Sequence, residues 1–295
     1  MKRKTKKLLG GIITLIILGI AGLLGTNQEI INTISNQEEN NEQKIESIVE
    51  GNLEVDYIDV GQADSILVRN EDQTMLIDAG TNEQGKTVVE YLNNLGVTKI
   101  DYLIGTHPHE DHIGGLDDVI KNFEIGSIYM PKIETTTKTF EDVLDAIEEK
   151  GLTVTEPKKD DVFKVGGAIC TIMTDPILDK DNLNLSSIII RLEYGKNSFL
   201  FMGDAETENE ETITWPKTDV LKVGHHGSNT STSEEFLNQV QPKYSVIMVG
   251  KDNSYGLPKQ ETIDKLKNIG STVYRTDEEG TIKIITNGEE IRLEP

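Results

Sequence analysis

One cysteine, Cys170, in a chain of 295 residues excludes an internal disulfide framework and a cysteine-rich metal site. Basic residues are scarce as well: 29 Lys and Arg stand against 51 Asp and Glu, a formal charge of -22. Five of those bases crowd into Met1–Lys7, so the remainder carries about -27. A field of that sign repels nucleic-acid phosphates and anionic lipid alike, which argues against binding of extended nucleic acid. It leaves room for phosphate chemistry at a metal ion, whose local charge can outweigh the mean field. Internal repeats are not evident. Histidine is rare too, with five in the whole chain.

The few bases at the start have a clear company. They precede an uncharged run from Leu8 to Gly25, 18 residues that would span about 27 Å as a helix. Basic flank and apolar run predict a membrane anchor over residues 1–25, cytoplasmic at its amino terminus, with the rest of the chain outside. No cysteine follows the run, which excludes a lipoprotein anchor. A cleaved signal is the alternative, and it would give a secreted protein. Residues 26–50 are rich in Asn, Gln, Glu and Ser and read as a solvated stalk.

From Leu53 the texture changes, and residues 51–295 read as one domain. Leu53–Val60, Ser65–Arg69 and Thr74–Ile77 are short β-rich runs between Gly or Asp turns. Lys86–Leu95 has helical apolar spacing and stops at Gly96. Lys99–Gly105 is a nearly all-apolar strand, and Leu116–Phe123 and Phe140–Lys150 read as helices. Strands are expected again at Ile169–Met173, Ser187–Glu193, Phe199–Met202 and Val220–Val223. Helix Glu234–Val240, strand Tyr244–Val249, helix Gln260–Ile269, strand Thr272–Tyr274 and a hairpin about Asn287-Gly288 close the chain. Meander strands followed by α/β alternation predict a layered α/β domain with mixed sheets.

All five histidines fall in two islands. Thr106-His107-Pro108-His109-Glu110-Asp111-His112 follows an apolar strand, where α/β proteins keep their sites. His107 and His109, two apart in extended backbone, can chelate one ion, while Asp111 and His112 turn toward a second. Phe199–Met202 ends in Gly203-Asp204, a carboxylate able to bridge two cations. Val220–Val223 delivers Gly224-His225-His226-Gly227-Ser228, in which one of the two histidines is the expected ligand. Gly227 and Ser228 are candidate backbone donors to an anionic transition state.

His-x-His-x-Asp-His, Gly-Asp and a downstream histidine, in this order, resemble the metallo-β-lactamase superfamily. More specifically, Tyr57–Ser65, Leu76–Gly80, Gly203–Glu206, Lys222–Ser228 and Asn253-Ser254-Tyr255-Gly256 resemble the hydrolase domain of ComEC-type competence proteins and its free-standing relatives. The resemblance covers about residues 53–290. It implies an αββα four-layer sandwich and a metal-dependent hydrolase. It also implies that Asp78 orients a ligand from behind, that Asp59 and Asp64 line the site floor, and that Asn253 and Tyr255 lie near substrate.

Two departures stand out. Asn182-Leu183-Asn184-Leu185-Ser186-Ser187 holds no histidine where the wider superfamily carries another metal ligand. Tyr255-Gly256-Leu257-Pro258 has leucine where the competence-type domains have histidine. The expected activity is that of an extracytoplasmic hydrolase with one or two zinc ions, manganese being the alternative. His107 and His109 would hold one ion; Asp111, His112 and one of His225 and His226 the other, with Asp204 bridging. A metal-bound hydroxide would attack a phosphodiester or ester, cell-wall or lipid derived in view of the location. The rival expectation, motivated by Leu257, is a surface-anchored metal-binding protein that kept the fold and lost turnover.

Overall fold

The computed structural model describes residues 51–294. The anchor expected over residues 1–25 and the stalk over 26–50 lie outside them. Among the described residues no helix is long and apolar enough to cross a membrane.

Chain order begins with a meander, β1 (Leu53–Tyr57), β2 (Ile66–Asn70) and β3 (Gln73–Ile77). It then alternates: α1 (Gly85–Asn94), β4 (Lys99–Ile104), the single turn α2 (Glu110–Ile113), α3 (Leu116–Asn122), β5 (Glu124–Tyr129), α4 (Lys138–Glu149) and β6 (Val154–Thr155). A second meander, β7 (Val162–Val165), β8 (Ala168–Ile172), β9 (Ile190–Tyr194) and β10 (Asn197–Phe201), is followed by α5 (Thr207–Glu210), β11 (Val220–Lys222), α6 (Glu234–Val240) and β12 (Tyr244–Ile247). The chain ends with α7 (Gln260–Asn268), β13 (Thr272–Arg275), α8 (Thr276–Glu279), β14 (Ile282–Thr286) and β15 (Ile291–Glu294).

Two mixed sheets result. One has the order β15-β14-β1-β2-β3-β4-β5-β6, the other β13-β12-β11-β10-β9-β8-β7. In each, meander strands pair antiparallel, and strands separated by helices pair parallel, as β3–β4–β5 and β10–β11–β12–β13 do. A two-residue hairpin can reverse a chain, whereas a parallel neighbour needs a crossover helix. The inner faces close on each other through Val55, Tyr57, Val68, Ile190, Phe199 and Phe201. Outside the first sheet, α1, α3 and α4 bury Val88, Leu92, Val119, Ile120, Val143 and Ile147. Outside the second, Phe236, Leu237, Ile263 and Leu266 of α6 and α7 do the same. Helix, sheet, sheet, helix: the two-sheet α/β sandwich expected from the resemblance is present.

Three strands were not anticipated. β5 contains Gly126 and follows α3 without a turn, so its sequence lacks the usual punctuation. A side chain at Gly126 would press its Cβ to 2.5 Å from the Asp101 carbonyl oxygen of neighbouring β4. β6 and β7 are edge strands of two and four residues, too short to show a period. The run expected from Ser187 becomes strand only at Ile190, because Leu183–Ser186 forms a 3-10 turn and Ile188 N–H donates to the Thr106 carbonyl.

The first histidine island is held down by a glycine pair. A Cβ on Gly115 would lie 2.3 Å from the Ala79 carbonyl oxygen and 2.6 Å from Gly85 Cα, both backbone atoms with no room to yield. Overpacking of this kind costs about 1–3 kcal/mol, so Gly115→Ala is expected to lower the unfolding free energy by that amount. Denaturant unfolding of the two proteins checks it; equal midpoints would show that the contact is slack.

Candidate metal centre

Every candidate ligand follows the carboxyl end of a strand. Asp78 follows β3, the first island follows β4, Asp204 follows β10, and His225 and His226 follow β11. This is the sheet edge where βα connections converge. The β11 connection is strained: His225 and His226 both have left-handed backbone, with φ of 48° and 50°. Non-glycine residues hold that conformation only when their surroundings fix it.

Asp111, His112, Asp204 and His226 each offer one ligand atom, all within 4.8 Å of one another. His112 Nε2 comes within 3.2 Å of Asp204 Oδ1, His226 Nε2 within 3.4 Å of Asp111 Oδ2 and 3.6 Å of Asp204 Oδ2. His112 Nε2, His226 Nε2 and Asp204 Oδ1 are buried and have no hydrogen-bond partner. Buried polar atoms are normally satisfied. Three converging imidazole and carboxylate atoms left unsatisfied are a candidate donor set for a divalent cation.

The opposite ring nitrogens are spoken for. Asp78 accepts from His112 Nδ1 at 2.7 Å, and Thr106 clamps that carboxylate, donating from its amide at 2.8 Å and its hydroxyl at 2.7 Å. His226 Nδ1 donates to the Met248 carbonyl at 2.8 Å. Each partner fixes the ring so that Nε2 faces the cluster. His107 Nε2 and His109 Nδ1 face each other at 3.0 Å, a separation that suits two nitrogens on one ion. Asp204 Oδ2 stands 3.9 Å from that His107 nitrogen.

Beneath the cluster lies an ion pair. Lys222 Nζ is fully buried and 2.5 Å from Asp64 Oδ2, whose other oxygen is 3.4 Å from His226 Nδ1. Beside it, His225 Nδ1 is 3.2 Å from Glu206 Oε1 and 3.0 Å from Thr230 Oγ1, with Nε2 3.8 Å from Asp204. A cleft of about 290 Å³ opens over the cluster, lined by His109, Asp111, Asn184, His225, Tyr255 and Leu257 among others.

Burial opposes a charge on His112, yet the carboxylates of Asp204, Asp78 and Asp111 outweigh it and push its pKa well above the ordinary value. For His226 the same contest, decided by Asp204 and Asp64, ends at about 10. Burial also opposes the charge on Asp204, but His112 and His226 hold it well below the usual carboxylate range. His107 goes the other way: burial, then the charge on His112, keep it neutral.

Several expectations need correcting. Asp59 is not in the floor of the site; it is exposed, and its carboxylate accepts from Gly61 N–H at 3.1 Å to close a turn. Ser228 N–H is no free donor, because it bonds the His225 carbonyl at 2.8 Å. Asn253 turns inward on its own loop, bonding Gly250 and Leu257 through both ends of its amide. Tyr255 is exposed at the cleft mouth. Of the His225 and His226 pair, His226 joins the cluster. Lys222, Glu206 and Asn184 went unnoticed as site residues, although a lysine inside the apolar run Val220–Val223 was a visible signal.

Residues 58–251 match the metallo-beta-lactamase superfamily. The chain belongs to that superfamily. It is 35% identical to ComE operon protein 3 of Bacillus subtilis (strain 168) over 252 residues, 78% of this chain and 32% of that protein. It is 30% identical to competence protein ComA of Neisseria gonorrhoeae over 244 residues, 81% of this chain and 33% of the relative. The chain thus spans about a third of the length of these curated relatives. The metallo-beta-lactamase fold protein YhfI of Bacillus subtilis superposes with a TM-score of 0.54 at 12% identity, covering 78% of this chain and 99% of YhfI, and shares the fold.

The raised pKa values give a signed expectation. Below its folded pKa each imidazole carries the Nε2 proton that an ion must displace, so metal binding near pH 7.5 should release about two protons. Affinity should then climb with pH until the region of 10, where His226 empties. Calorimetry in buffers of different ionisation enthalpy measures this; binding without proton release would contradict protonated His112 and His226. Replacing Asp78 with Ala should weaken metal affinity about 10- to 100-fold by freeing the His112 ring, read by competition with a chelator.

Proposed function

We infer that the chain is a metal-dependent hydrolase acting on a phosphodiester or ester, held at the outer face of the membrane by residues 1–25. The observation that carries the metal half of this reading is the buried, unsatisfied set of His112, His226 and Asp204 atoms beside Asp111. His112, His226 and Asp111 would hold one ion, His107 and His109 another, and Asp204, between the two groups, would bridge them. Zinc suits imidazole and carboxylate donors, and manganese is compatible with them. When bound, such ions acidify water and stabilise charge developing at the scissile centre.

The chain's own residues supply the rest. Asp78 and the Met248 carbonyl hold the Nδ1 side of both rings, so neither ring need reorient on binding. His225 stands at the cleft with Nδ1 toward Glu206 and Nε2 toward Asp204. A ring held by a carboxylate on one side and facing the centre on the other is placed to hand a proton to a leaving oxygen. The cleft lining holds Glu110, Asp111 and Asp204 and neither Lys nor Arg, so a substrate phosphate would depend on the ions for its charge. That favours a compact diester, such as a wall or lipid phosphodiester, over extended nucleic acid. The competence names of the relatives make a short oligonucleotide the first alternative to try.

Metal-loaded protein assayed on a bis-aryl phosphodiester, a phosphocholine ester, an oligonucleotide and a chromogenic β-lactam separates these readings. Diester cleavage that disappears in His109→Ala is expected. Bound metal with no turnover on any of them would contradict the enzyme and favour the binding protein. His225→Ala should retain its ions and lose activity about 100-fold or more on an alkyl leaving group. On nitrophenolate, which leaves without a proton, the loss should be much smaller; equal losses on both would remove the acid role.

A further inference from the structure

The two halves of the centre are unequally equipped. His112, His226, Asp111 and Asp204 give one ion four protein atoms. Beside the His107 and His109 pair, the shared Asp204 comes within 3.9 Å of His107 Nε2, and the segment 182–187 brings no histidine. It does bring Asn184. This side chain lines the cleft together with His109 and Asp204 and is itself 7% exposed. Its nitrogen reaches Glu206 Oε1 at 3.3 Å and rests 3.4 Å from both ring nitrogens of His225. Its oxygen is buried without any partner.

The amide is fixed end for end. The Glu206 carboxylate gathers donors: Asn182 Nδ2 at 2.7 Å, Thr230 Oγ1 at 2.8 Å and Asn184 Nδ2 at 3.3 Å. The amide nitrogen is the end that faces this carboxylate, and the oxygen is the end left over. The backbone is equally fixed. Asn182 Oδ1 accepts from Asn184 N–H at 3.3 Å, Asn209 donates to the Leu185 carbonyl at 2.8 Å, and Ser187 N–H bonds the Asn184 carbonyl at 3.0 Å. Ser187 Oγ then reaches His107 Nδ1 at 3.4 Å and accepts from Asp204 N–H at 3.1 Å. The loop that presents Asn184 is thereby tied to the His107 half of the centre.

We propose that the Asn184 amide oxygen is the additional protein ligand of the His107/His109 ion, a neutral oxygen in place of an imidazole. The proposal rests on the two-ion reading of the centre. A neutral amide oxygen binds more weakly than imidazole and adds no charge to a centre already rich in carboxylates. The ion it completes is therefore the weaker of the two and the more open to substrate.

The test is a titration of metal-free full-length protein with Zn2+ against a chromophoric chelator, repeated with Co2+ to read the d–d bands of each ion. Wild type should show two unequal binding steps. Asn184→Leu should weaken the second step about 10-fold or more and alter the bands of the second Co2+ alone, leaving the first step and the unfolding midpoint in place. Asn184→His should tighten the second step. Two steps in Asn184→Leu with wild-type affinities and bands would overturn the proposal, even if turnover fell, since the residue would then touch substrate only. Wild type that takes up no ion would instead overturn the reading on which the proposal rests.

Discussion

Asp204 is the constraint on which the molecule turns. A carboxylate 2% exposed at the end of an apolar strand can be ionised only if cations surround it. His112 and His226 come from two other strand ends to do so. The sandwich exists in the form it does because those strand ends must meet. β4 lies in one sheet, β10 and β11 in the other, and the shared edge of the two sheets is the place where their carboxyl ends can share one charge.

The charge balance extends downward. Asp64 and Asp78 add two buried carboxylates beneath the ligand histidines. Lys222, fully buried, faces Asp64, and Thr106 with His112 satisfies Asp78. Removing one partner of such a pair leaves an uncompensated buried charge, which costs more than the pair contributes. The ligand geometry is therefore set by a second layer. His112, His226 and Asp204 would hold an ion without reorganising the protein, which is the condition for electrostatic preorganisation.

Much of this was legible in the chain. The islands announced themselves because histidine is scarce and clustered, and strands β4, β10 and β11 because their apolar runs end abruptly in Gly, Asp or His. The helix expected around Glu234–Val240 is present there, and Ser233 caps it. What escaped notice depends on partners distant in sequence. Asp59 and Asp64 look alike five residues apart, yet one closes an exposed turn and the other meets Lys222 158 residues later. Asn253 reads by resemblance as a residue near substrate, but its amide is bonded to its own loop. Asn184 reads as an absence of histidine until Glu206 fixes the direction of its amide.

The most direct test is X-ray absorption at the metal edge of the purified, metal-loaded chain. The account predicts a first shell of nitrogen and oxygen with imidazole scattering and no sulfur, and a metal–metal distance of roughly 3.5–4 Å at two ions per chain. A single ion without imidazole scattering, or a chain that retains no metal, would contradict it.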